Sequence, residues 1–559
     1  MTRQLIPFFR AALSRRDACS REMTMSDDRF ANGRRKRGSG LCAGLLLSAL
    51  GFGVFGPALA QEMFPSQPGR DWPIYGGSYN NQRYSSLKQV TAANARNLQA
   101  KWVYHVDGLR GLEGVPVVVN GVMYVTGFNR VDAIDARTGN PIWKFQRQPA
   151  TATYQRGAAV ANNRVYITIT DGHILALDAR TGAQIWESTG GPKAAFSGIP
   201  PLIAGGKIIV GGNQPHGYVQ AYDEQTGQYA WTWSPLPEKG QPGYDTWGGQ
   251  VPGGAPIWIG GAYDPDLKLV YYGTGQPNPQ WSGRGRPGDN LYSDSIVALD
   301  VATGKLKWYF QNTPHDTHDY DSTEIIVLAD MAFKGKPRKV ALQANRNGYY
   351  YILDRTNGEF LQATPFVSRV DWGTVDPKTG KGLPDPAHEP TVKGTITCPS
   401  TAGATNWPSP AYNPATNLFY VTATEGCGVN TLASSAPDSE TSYLESPRDK
   451  EAWQLYTRAI DAKTGAIKWD YKQVRSNHYG PGLLTTEGGI VFSPEQFGQV
   501  SVLDAKTGRS LWHYNTGDLI TASPLTYSVD GHQYLAIASG TNILTFGLPD
   551  RAPAAEKKP

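Results

Sequence analysis

A nine-residue phrase recurs six times along the chain and constrains its fold more than any other feature. It begins with Asp after an apolar run, continues through two variable residues to Thr-Gly, and places Trp four residues after the Gly. A seventh, degenerate copy, Asp354–Leu361, has Asn357 in place of Thr and no Trp. The six complete copies are Asp135–Trp143, Asp178–Trp186, Asp223–Trp231, Asp300–Trp308, Asp461–Trp469 and Asp504–Trp512.

Each phrase predicts a β-hairpin. The alternating apolar residues form a strand that ends at the Asp, whose carboxylate can cap the backbone of the turn. The Gly takes the turn position with positive φ, and the next strand carries the Trp into a core. The sequence therefore predicts an all-β fold built from tryptophan-docking repeats.

The spacing of the phrases predicts a β-propeller. Successive Asp residues lie 43, 45 or 54 positions apart, except for gaps of 77 after Asp223 and 107 after Asp354. Periods of this length are typical of propeller blades. The second gap can hold one more degenerate blade around Tyr412–Thr424. Together with the seven copies it predicts eight blades, one of which is completed jointly by the N- and C-terminal strands; the alternative is seven blades.

The N-terminal residues predict export. Residues Arg34–Arg37 are basic, the stretch Leu41–Gly56 is apolar, and Ala58-Leu59-Ala60 offers a small-x-small cleavage site before Gln61. This arrangement is typical of a signal peptide, and a membrane anchor is the alternative. The expected organisation is a presequence over residues 1–60, a single propeller over 61–550 and a disordered tail over 551–559.

The charge of the expected mature chain excludes a nucleic-acid surface. Residues 1–60 carry ten of the 53 Lys and Arg but only four of the 48 Asp and Glu, leaving 43 basic against 44 acidic side chains. A near-neutral body of this kind has no basic footprint for nucleic acid. The mature chain keeps two cysteines, Cys398 and Cys427, and an even pair in an exported protein predicts a disulfide.

The densest group of ionisable residues lies in the segment Thr313–Ser322, which holds three Asp and two His. Carboxylates this close repel one another unless they are protonated or share a cation, and a hard metal ion with oxygen ligands would satisfy Asp319 and Asp321 together. The alternative is a polar turn whose Asp side chains cap backbone amides.

Several segments together resemble the methanol and ethanol dehydrogenases that depend on pyrroloquinoline quinone (PQQ). The resemblance covers residues 70–548 in order, with the Trp phrases between the motifs. The segments that carry it are Asp71–Gly76, Asn81–Tyr84, Gly273–Trp281, Arg286–Asn290, Thr313–Ser322, Asn345–Gly348 and Ala522–Tyr527.

The resemblance implies a role for each matching residue. Asp319 matches the general base that takes the alcohol proton, Arg346 matches the Arg that hydrogen-bonds the quinone oxygens, and Trp258 matches the ring that stacks on the cofactor. A bound metal ion, Ca²⁺ or alternatively a lanthanide, would act as a Lewis acid. The remaining implied cofactor contacts are Glu113, Arg156 and Asn406, and the implied metal ligands are Gln276, Asp319, Asp321 and Gln214.

The sequence departs from the family pattern at four places. Gln276 stands where Asn is usual, and no carboxylate occupies the position of the usual Glu ligand. Gln214 or His216 is expected to substitute, and a reduced metal coordination is the alternative. His318 stands where a Trp usually precedes the catalytic Asp. The adjacent Cys-Cys pair of the family is absent, because its place is taken by Ala150-Thr151.

These features predict a periplasmic PQQ- and metal-dependent dehydrogenase that oxidises a primary or secondary alcohol. Because the usual Trp is replaced by His318 and the Cys-Cys pair is absent, the entrance of the active site is expected to differ from that of the family. This difference favours a polyol, sugar or cyclic alcohol over methanol as the substrate. No C-x-x-C-H occurs in the sequence, so electrons are expected to leave to a separate acceptor such as a soluble cytochrome c. The alternatives are a family member that binds PQQ poorly and a non-catalytic scaffold propeller of the outer-membrane assembly type.

Overall fold

The regular secondary structure of the described residues consists almost entirely of short strands, nearly all in antiparallel pairs. The computed structural model describes residues 64, 67–109, 111–148, 155–189, 191, 198–213, 216–434, 453–474 and 479–550. The expected presequence, residues 1–60, and the expected tail, residues 551–559, lie outside the described residues. In the described part of the chain, no helix is long and apolar enough to cross a bilayer. The helices there are 3₁₀ turns at Ala95–Asn97, Tyr244–Trp247 and Pro386–His388.

Two strands precede the first complete blade and are used later in the ring, β1 (Tyr84–Ser85) and β2 (Gln99–His105). Five consecutive four-stranded blades follow. Their strands are β3 (Val117–Val119), β4 (Val122–Gly127), β5 (Arg130–Asp135) and β6 (Pro141–Gln146); β7 (Ala159–Ala161), β8 (Arg164–Thr168), β9 (Ile174–Asp178) and β10 (Gln184–Glu187); β11 (Leu202–Ala204), β12 (Lys207–Gly212), β13 (Tyr218–Asp223) and β14 (Tyr229–Trp233); β15 (Ala262–Asp264), β16 (Leu269–Gly273), β17 (Ser295–Asp300) and β18 (Leu306–Gln311); β19 (Val327–Phe333), β20 (Lys336–Ala344), β21 (Tyr349–Asp354) and β22 (Phe360–Pro365).

The second half of the chain adds three blades and two small inserted sheets. The insertions pair β23 (Gly373–Val375) with β24 (Gly382–Pro384) and β25 (Thr395–Thr397) with β28 (Gly428–Asn430). The sixth blade contains β26 (Ala411–Asn413), β27 (Leu418–Glu425), β29 (Gln454–Asp461) and β30 (Ile467–Lys472). The seventh contains β31 (Leu484–Thr486), β32 (Ile490–Pro494), β33 (Gln499–Asp504) and β34 (Ser510–Asn515), and the eighth contains β35 (Leu525–Val529), β36 (His532–Ser539) and β37 (Asn542–Gly547).

The ring closes by strand pairing between the two ends of the described chain. Strand β2 pairs antiparallel with β37 as the outer strand of the eighth blade, and β1 pairs in parallel with β31 at the inner edge of the seventh. The prediction of eight blades, with one completed by both ends, is confirmed. The placement of an extra blade at Tyr412–Thr424 was wrong: this segment forms the inner half of the blade that carries Asp461, since β27 pairs directly with β29.

The Asp of each phrase caps its turn, as the sequence predicts. In the first copy one Asp135 carboxylate oxygen accepts hydrogen bonds from the backbone N–H of Arg137 and Thr138 and from the Thr138 hydroxyl. Gly139 follows with φ of 76°. The same three-bond cap recurs at Asp178, Asp223 and Asp504.

The Trp of each phrase packs between blades rather than inside its own. The Trp143 indole N–H donates to the carbonyl of Ala179 in the next blade, and its ring covers Gly182 there. Trp102 on β2 does the same toward Ala136 and Gly139, which joins the eighth blade to the first. Equivalent indole hydrogen bonds run from Trp231 to Val301, from Trp308 to Arg355, from Trp469 to Ala505 and from Trp512 to Leu98.

Because strands alternate in direction, the turns between the second and third strands of a blade share one end of the propeller with the connections between blades. The Asp-Thr-Gly turns lie at the opposite end. The long connections, which include residues 234–261, 312–326 and 366–410, all lie at the first end, which we call the loop end. Any site built from these irregular segments must therefore lie there.

Replacing Gly304 by Ala should measure how much the packing of indole on glycine contributes to stability. A Cβ at this position would lie 2.4 Å from the ring of Trp231, whereas a Cβ at Gly531 would meet no atom within 4 Å. Both glycines have positive φ, 71° and 77°, so both substitutions carry the strain of a left-handed Ala. We expect Gly304→Ala to lower the free energy of unfolding by about 1–3 kcal/mol more than Gly531→Ala, because overpacking adds to that strain. Denaturation in guanidinium chloride measures the difference, and equal losses would contradict this role of the Trp.

Candidate active site

The residues singled out in the sequence converge on the loop end. Asp319 and Asp321 lie between β18 and β19, Arg346 lies in the turn between β20 and β21, and Trp258 precedes β15. The other described candidates also lie on connections at this end: Glu113 before β3, Arg156 before β7, Gln276 after β16 and Asn406 before β26.

Arg346 is the centre of the site because three carboxylates surround its guanidinium. Nη1 lies 3.4 Å from Asp319 Oδ2 and 3.5 Å from Asp321 Oδ2, and Nε lies 3.5 Å from Glu324 Oε1. Nη1 also donates to the backbone carbonyl of Asp319. Burial alone would lower the pKa of Arg346, but the three carboxylates hold it above its ordinary value. The guanidinium therefore stays charged.

Trp258 lies against this charged group. Its indole N–H donates to Asp321 Oδ2 at 3.1 Å, and the Arg346 guanidinium carbon lies 5.9 Å from its ring centroid. The guanidinium of Arg156 lies 5.3 Å from the same centroid. A planar ring flanked by two cations is suited to a flat anionic ligand, because stacking and charge attraction act together.

Arg156 and Glu113 form a second buried ion pair at the site, with Nη2 3.2 Å from Oε2. Arg156 also donates to the Trp258 carbonyl at 3.1 Å and lies 4.6 Å from the ring centroid of Trp407. Burial raises the pKa of Glu113, although Arg156 opposes the shift. Glu113 Oε2 and Arg156 Nε have no hydrogen-bond partner among the described residues. Both groups therefore have hydrogen-bonding capacity left for a ligand.

Asp319 combines a strained backbone with a shifted pKa. Its φ of 66° lies in the left-handed region, which is uncommon for residues other than glycine. Its side chain keeps 24 % of its surface exposed, more than the 5 % of Asp321. Burial of the carboxyl raises its pKa well above the usual range, with Asp321 and Asp316 adding to the shift and Arg346 opposing it. An accessible carboxylate with a raised pKa suits a general base.

Asp316 has the structural role that the sequence left open as the alternative. Its two oxygens accept hydrogen bonds from the backbone N–H groups of His318 and Tyr320, at 2.9 and 3.0 Å. Asp316 therefore shapes the loop that presents Asp319 and Asp321. Tyr320, between those two, donates its hydroxyl to the carbonyl of Pro399.

The predicted disulfide between Cys398 and Cys427 is present. It lies next to Pro399, so it anchors the loop that receives the Tyr320 hydroxyl. His318 is buried, stacks on Tyr320 with centroids 5.3 Å apart, and has Nε2 2.9 Å from the carbonyl oxygen of His388. Burial lowers its pKa, so the imidazole is held neutral.

The expected metal ligands are described only in part. The backbone N–H of Gln276 donates to Asp321 Oδ1 at 2.8 Å, which places Gln276 beside the carboxylates. Gln214 lies outside the described residues, as do Ala150 and Thr151. Among the described His, Cys, Asp and Glu, no group of three or more is arranged to hold a metal ion. Only two carboxylates, those of Asp319 and Asp321, belong to the predicted ligand set.

Asn406 uses its carboxamide mainly within its own loop. Nδ2 donates to the Ala402 carbonyl at 2.8 Å, and Oδ1 accepts from the backbone N–H of Trp407 at 2.9 Å. It lies beside Trp407, whose ring faces Arg156, so it is close to the site.

Sequence reasoning missed two buried carboxylates, Glu324 and Asp294. Neither carboxylate oxygen of Asp294 has a hydrogen-bond partner in the described structure. Burial, together with the charges of Asp316 and Asp321, raises its pKa well above the usual range. Asp294 directly precedes strand β17, and Glu324 directly precedes the apolar run that leads into β19. An acidic residue next to an apolar run was the signal in the sequence that could have indicated these buried carboxylates.

Comparison with known proteins identifies the family of this propeller. The model of the glucose, ethanol and alcohol dehydrogenase β-propeller domain that binds PQQ matches residues 72–367. A model of the outer membrane protein assembly factor BamB matches residues 454–544 only. The scaffold alternative therefore has support over a minor part of the propeller, and the part that holds Asp319 and Arg346 matches the dehydrogenases.

Individual relatives extend the match over most of the chain. A quinohemoprotein alcohol dehydrogenase of Comamonas testosteroni is 36 % identical in sequence over 86 % of this chain and 74 % of its own length. The crystal structure of the quinohemoprotein alcohol dehydrogenase from the same organism superposes with a TM-score of 0.79 at 32 % identity, and the superposition covers 87 % of this chain and 82 % of that one. The quinoprotein alcohol dehydrogenase PedH of Pseudomonas putida is 34 % identical over 83 % and 85 % of the two chains. A europium-containing methanol dehydrogenase superposes with a TM-score of 0.75 at 28 % identity, over 86 % and 98 %. The chain, an eight-bladed propeller with Arg346 and Asp319 at its loop end, belongs to the PQQ-dependent quinoprotein alcohol dehydrogenases, a family of oxidoreductases.

Proposed function

We propose that this protein is a periplasmic dehydrogenase that uses PQQ and one metal ion to oxidise a primary or secondary alcohol. The observation that carries the proposal is the arrangement of Asp319, Asp321 and Trp258 around Arg346. It combines an accessible base, a permanent cation and an aromatic surface within one site. Export is supported by the basic and apolar segments before Gln61, with cleavage near Ala60–Gln61.

The described residues fit PQQ, a flat molecule with several carboxylates. Trp258 offers the stacking surface, and Arg156 and Arg346 offer the cations. Two buried polar atoms at the site, Arg156 Nε and the Glu113 oxygen Oε2 that contacts Arg156 Nη2, make no hydrogen bond to the described residues. Such atoms are costly unless a ligand satisfies them. We assign Glu113, Arg156, Trp258, Arg346 and Asn406 to the quinone.

The donor chemistry fits a hard cation. Three carboxyl groups lie within 3.5 Å of the single guanidinium of Arg346, and burial raises the pKa of each, so a bound cation would stabilise their ionised forms. Carboxylate and carboxamide oxygens are ligands that Ca²⁺ and lanthanides prefer. We assign Asp319, Asp321, Gln276 and Gln214 to the metal and favour Ca²⁺; the europium-containing relative makes a lanthanide the alternative.

When bound, PQQ with its metal ion supplies the two-electron acceptor, and the protein supplies the base and the orientation. Asp319 would remove the hydroxyl proton of the alcohol, since its side chain keeps 24 % of its surface exposed beside Arg346. Arg346 holds this carboxylate through Nη1 and would present donors to the quinone oxygens. Asp321 fixes the Trp258 ring through the indole N–H.

The mouth of the site favours a substrate larger or more polar than methanol. His318 is smaller than the Trp that is usual at this position, and its ring is fixed against Tyr320 and the His388 carbonyl. We therefore propose a polyol, sugar or cyclic alcohol as substrate. A soluble cytochrome c is the proposed acceptor, because the sequence contains no C-x-x-C-H motif for covalent haem.

Asp319→Asn should abolish turnover while PQQ binding persists. The carboxamide keeps the shape of the side chain but cannot take a proton, so we expect kcat to fall at least about 100-fold. A dye-linked assay over a panel of alcohols measures kcat, and quenching of tryptophan fluorescence by PQQ measures binding. Retention of more than a tenth of wild-type kcat would refute the assignment of Asp319 as the base.

Holoprotein reconstituted with PQQ and Ca²⁺ should contain one metal ion per chain. Asp321→Ala should lower this stoichiometry, because it removes a carboxylate from the proposed ligand set. Elemental analysis after gel filtration measures the content, and Asp300→Ala, in a turn at the opposite end of the propeller, is the control. Absence of both Ca²⁺ and lanthanides from the holoprotein would contradict the proposed metal site.

A further inference from the structure

Glu324 contacts Arg346 from the side opposite to the two aspartates. It lies at the end of the connection that carries Asp319 and Asp321, just before β19, and only 2 % of its surface is exposed. Burial raises the pKa of its carboxyl well above the usual range, and Arg346 opposes the shift. No role follows for it from the resemblance or from the proposed function.

The two edges of the Arg346 guanidinium face different carboxylates. Nη1 faces Asp319 and Asp321, whereas Nε lies 3.5 Å from Glu324 Oε1. Nε and this Oε1 have no hydrogen-bond partner among the described residues, so each is the nearest group that could satisfy the other. A shift of a few tenths of an ångström would form a charge-assisted hydrogen bond.

Glu324 is itself fixed in place. Its Oε2 accepts from Asn345 Nδ2 at 3.5 Å, and its backbone carbonyl accepts from Gln343 Nε2 at 3.0 Å. Both partners come from the segment that leads directly into Arg346. The aliphatic part of Arg346 is confined as well, because a Cβ at Gly403 would lie 2.6 Å from its Cγ. Glu324 can therefore act as a rigid stop for the Nε edge.

Charge neutralisation does not explain why Glu324 is present. Asp319 and Asp321 already outnumber the single charge of Arg346, so a third buried carboxylate adds desolvation cost without being needed for neutrality. A buried carboxylate that lowers stability next to a ligand site is best explained by a role in ligand binding.

We propose that Glu324 is a positioning residue that holds the Nε edge of Arg346, so that the Nη edge faces Asp319 and the quinone oxygens. The proposal rests on the proposed function, since it concerns how Arg346 meets PQQ. Glu324 does not touch the reacting atoms. Its effect is on the orientation of the guanidinium, whose planar donor set requires alignment with its acceptors.

The test separates quinone binding from stability. Glu324→Gln keeps the shape but weakens the bond to Nε, and Glu324→Leu removes it. We expect the Kd for PQQ to rise about tenfold in Glu324→Gln and further in Glu324→Leu, because a hydrogen bond to a charged group is lost. The absorption band of bound PQQ should shift in both variants. The Tm of the apoprotein should be no lower than that of the wild type, because Arg346 keeps two carboxylates and a desolvated charge is gone.

Asp264→Asn is the matched control. Asp264 is buried, and its carboxylate lies 2.7 Å from Nε of Arg355. Arg346 precedes β21 and Arg355 follows it, so one strand of roughly 20 Å separates the two arginines. Asp264 also caps its own turn by accepting from the N–H groups of Asp266 and Leu267. This variant should lower Tm and leave the Kd for PQQ unchanged.

Unchanged Kd and absorption band in both Glu324 variants would overturn the inference while leaving the proposed function standing. A fall of Tm in Glu324→Gln as large as in Asp264→Asn would also overturn it, because the residue would then be a structural ion-pair partner. If the wild-type protein itself binds no PQQ, the proposed function fails. The Kd of the wild-type protein is therefore measured first, which distinguishes this outcome from a failure of the inference about Glu324.

Discussion

The packing of one indole on the glycine of the next blade is the interaction on which the rest of this structure depends. Trp143 covers Gly182 and donates to the Ala179 carbonyl, and the same arrangement recurs around most of the ring. A Cβ on the covered glycines would lie 2.4–2.8 Å from the indole, so no larger residue fits there without displacement. Where this contact recurs, the position of a blade is set by the shape of its neighbour and, except at Trp186, also by a hydrogen bond from the indole N–H.

Between the fifth and sixth blades both the indole and its hydrogen bond are missing. The degenerate phrase at Asp354 lacks the Trp, and the glycine of the next phrase, Gly465, faces Thr364 instead. Gln362 Nε2 donates to the Thr464 carbonyl at 2.7 Å, which supplies a polar bond in place of the indole. The neighbouring connection carries the inserted hairpin β23–β24, and the pairing of β25 with β28 and the disulfide tie it to the segment after β27. Covalent and strand contacts therefore reinforce the part of the propeller where the repeat is weakest.

A rigid ring lets the loop end hold an arrangement that would be unstable alone. Asp319 has a left-handed backbone, and the carboxylates around Arg346 outnumber its charge. Strain and buried charge persist at a site only when the surroundings fix them. Asp316 fixes the backbone of the loop, and Tyr320 ties it to Pro399 beside the disulfide. The same constraints hold Asp319, Arg346 and Trp258 in their relative positions.

The sequence by itself determined the architecture and most of the site. The phrase Asp-x-x-Thr-Gly with its Trp specifies a local turn, and its recurrence gives the length of the repeat. Both can be recognised in the sequence, because they depend on residues that are close to one another along the chain. It also predicted Asp319, Arg346 and Trp258, because the resemblance attaches to contiguous motifs. Only the tertiary structure decided which blade each Trp packs against, that Tyr412–Thr424 belongs to the blade of Asp461, and that Asp316 caps a loop while Glu324 faces Arg346. These facts depend on which segments meet across the ring, since burial and charge pairing arise between residues that the linear order keeps apart.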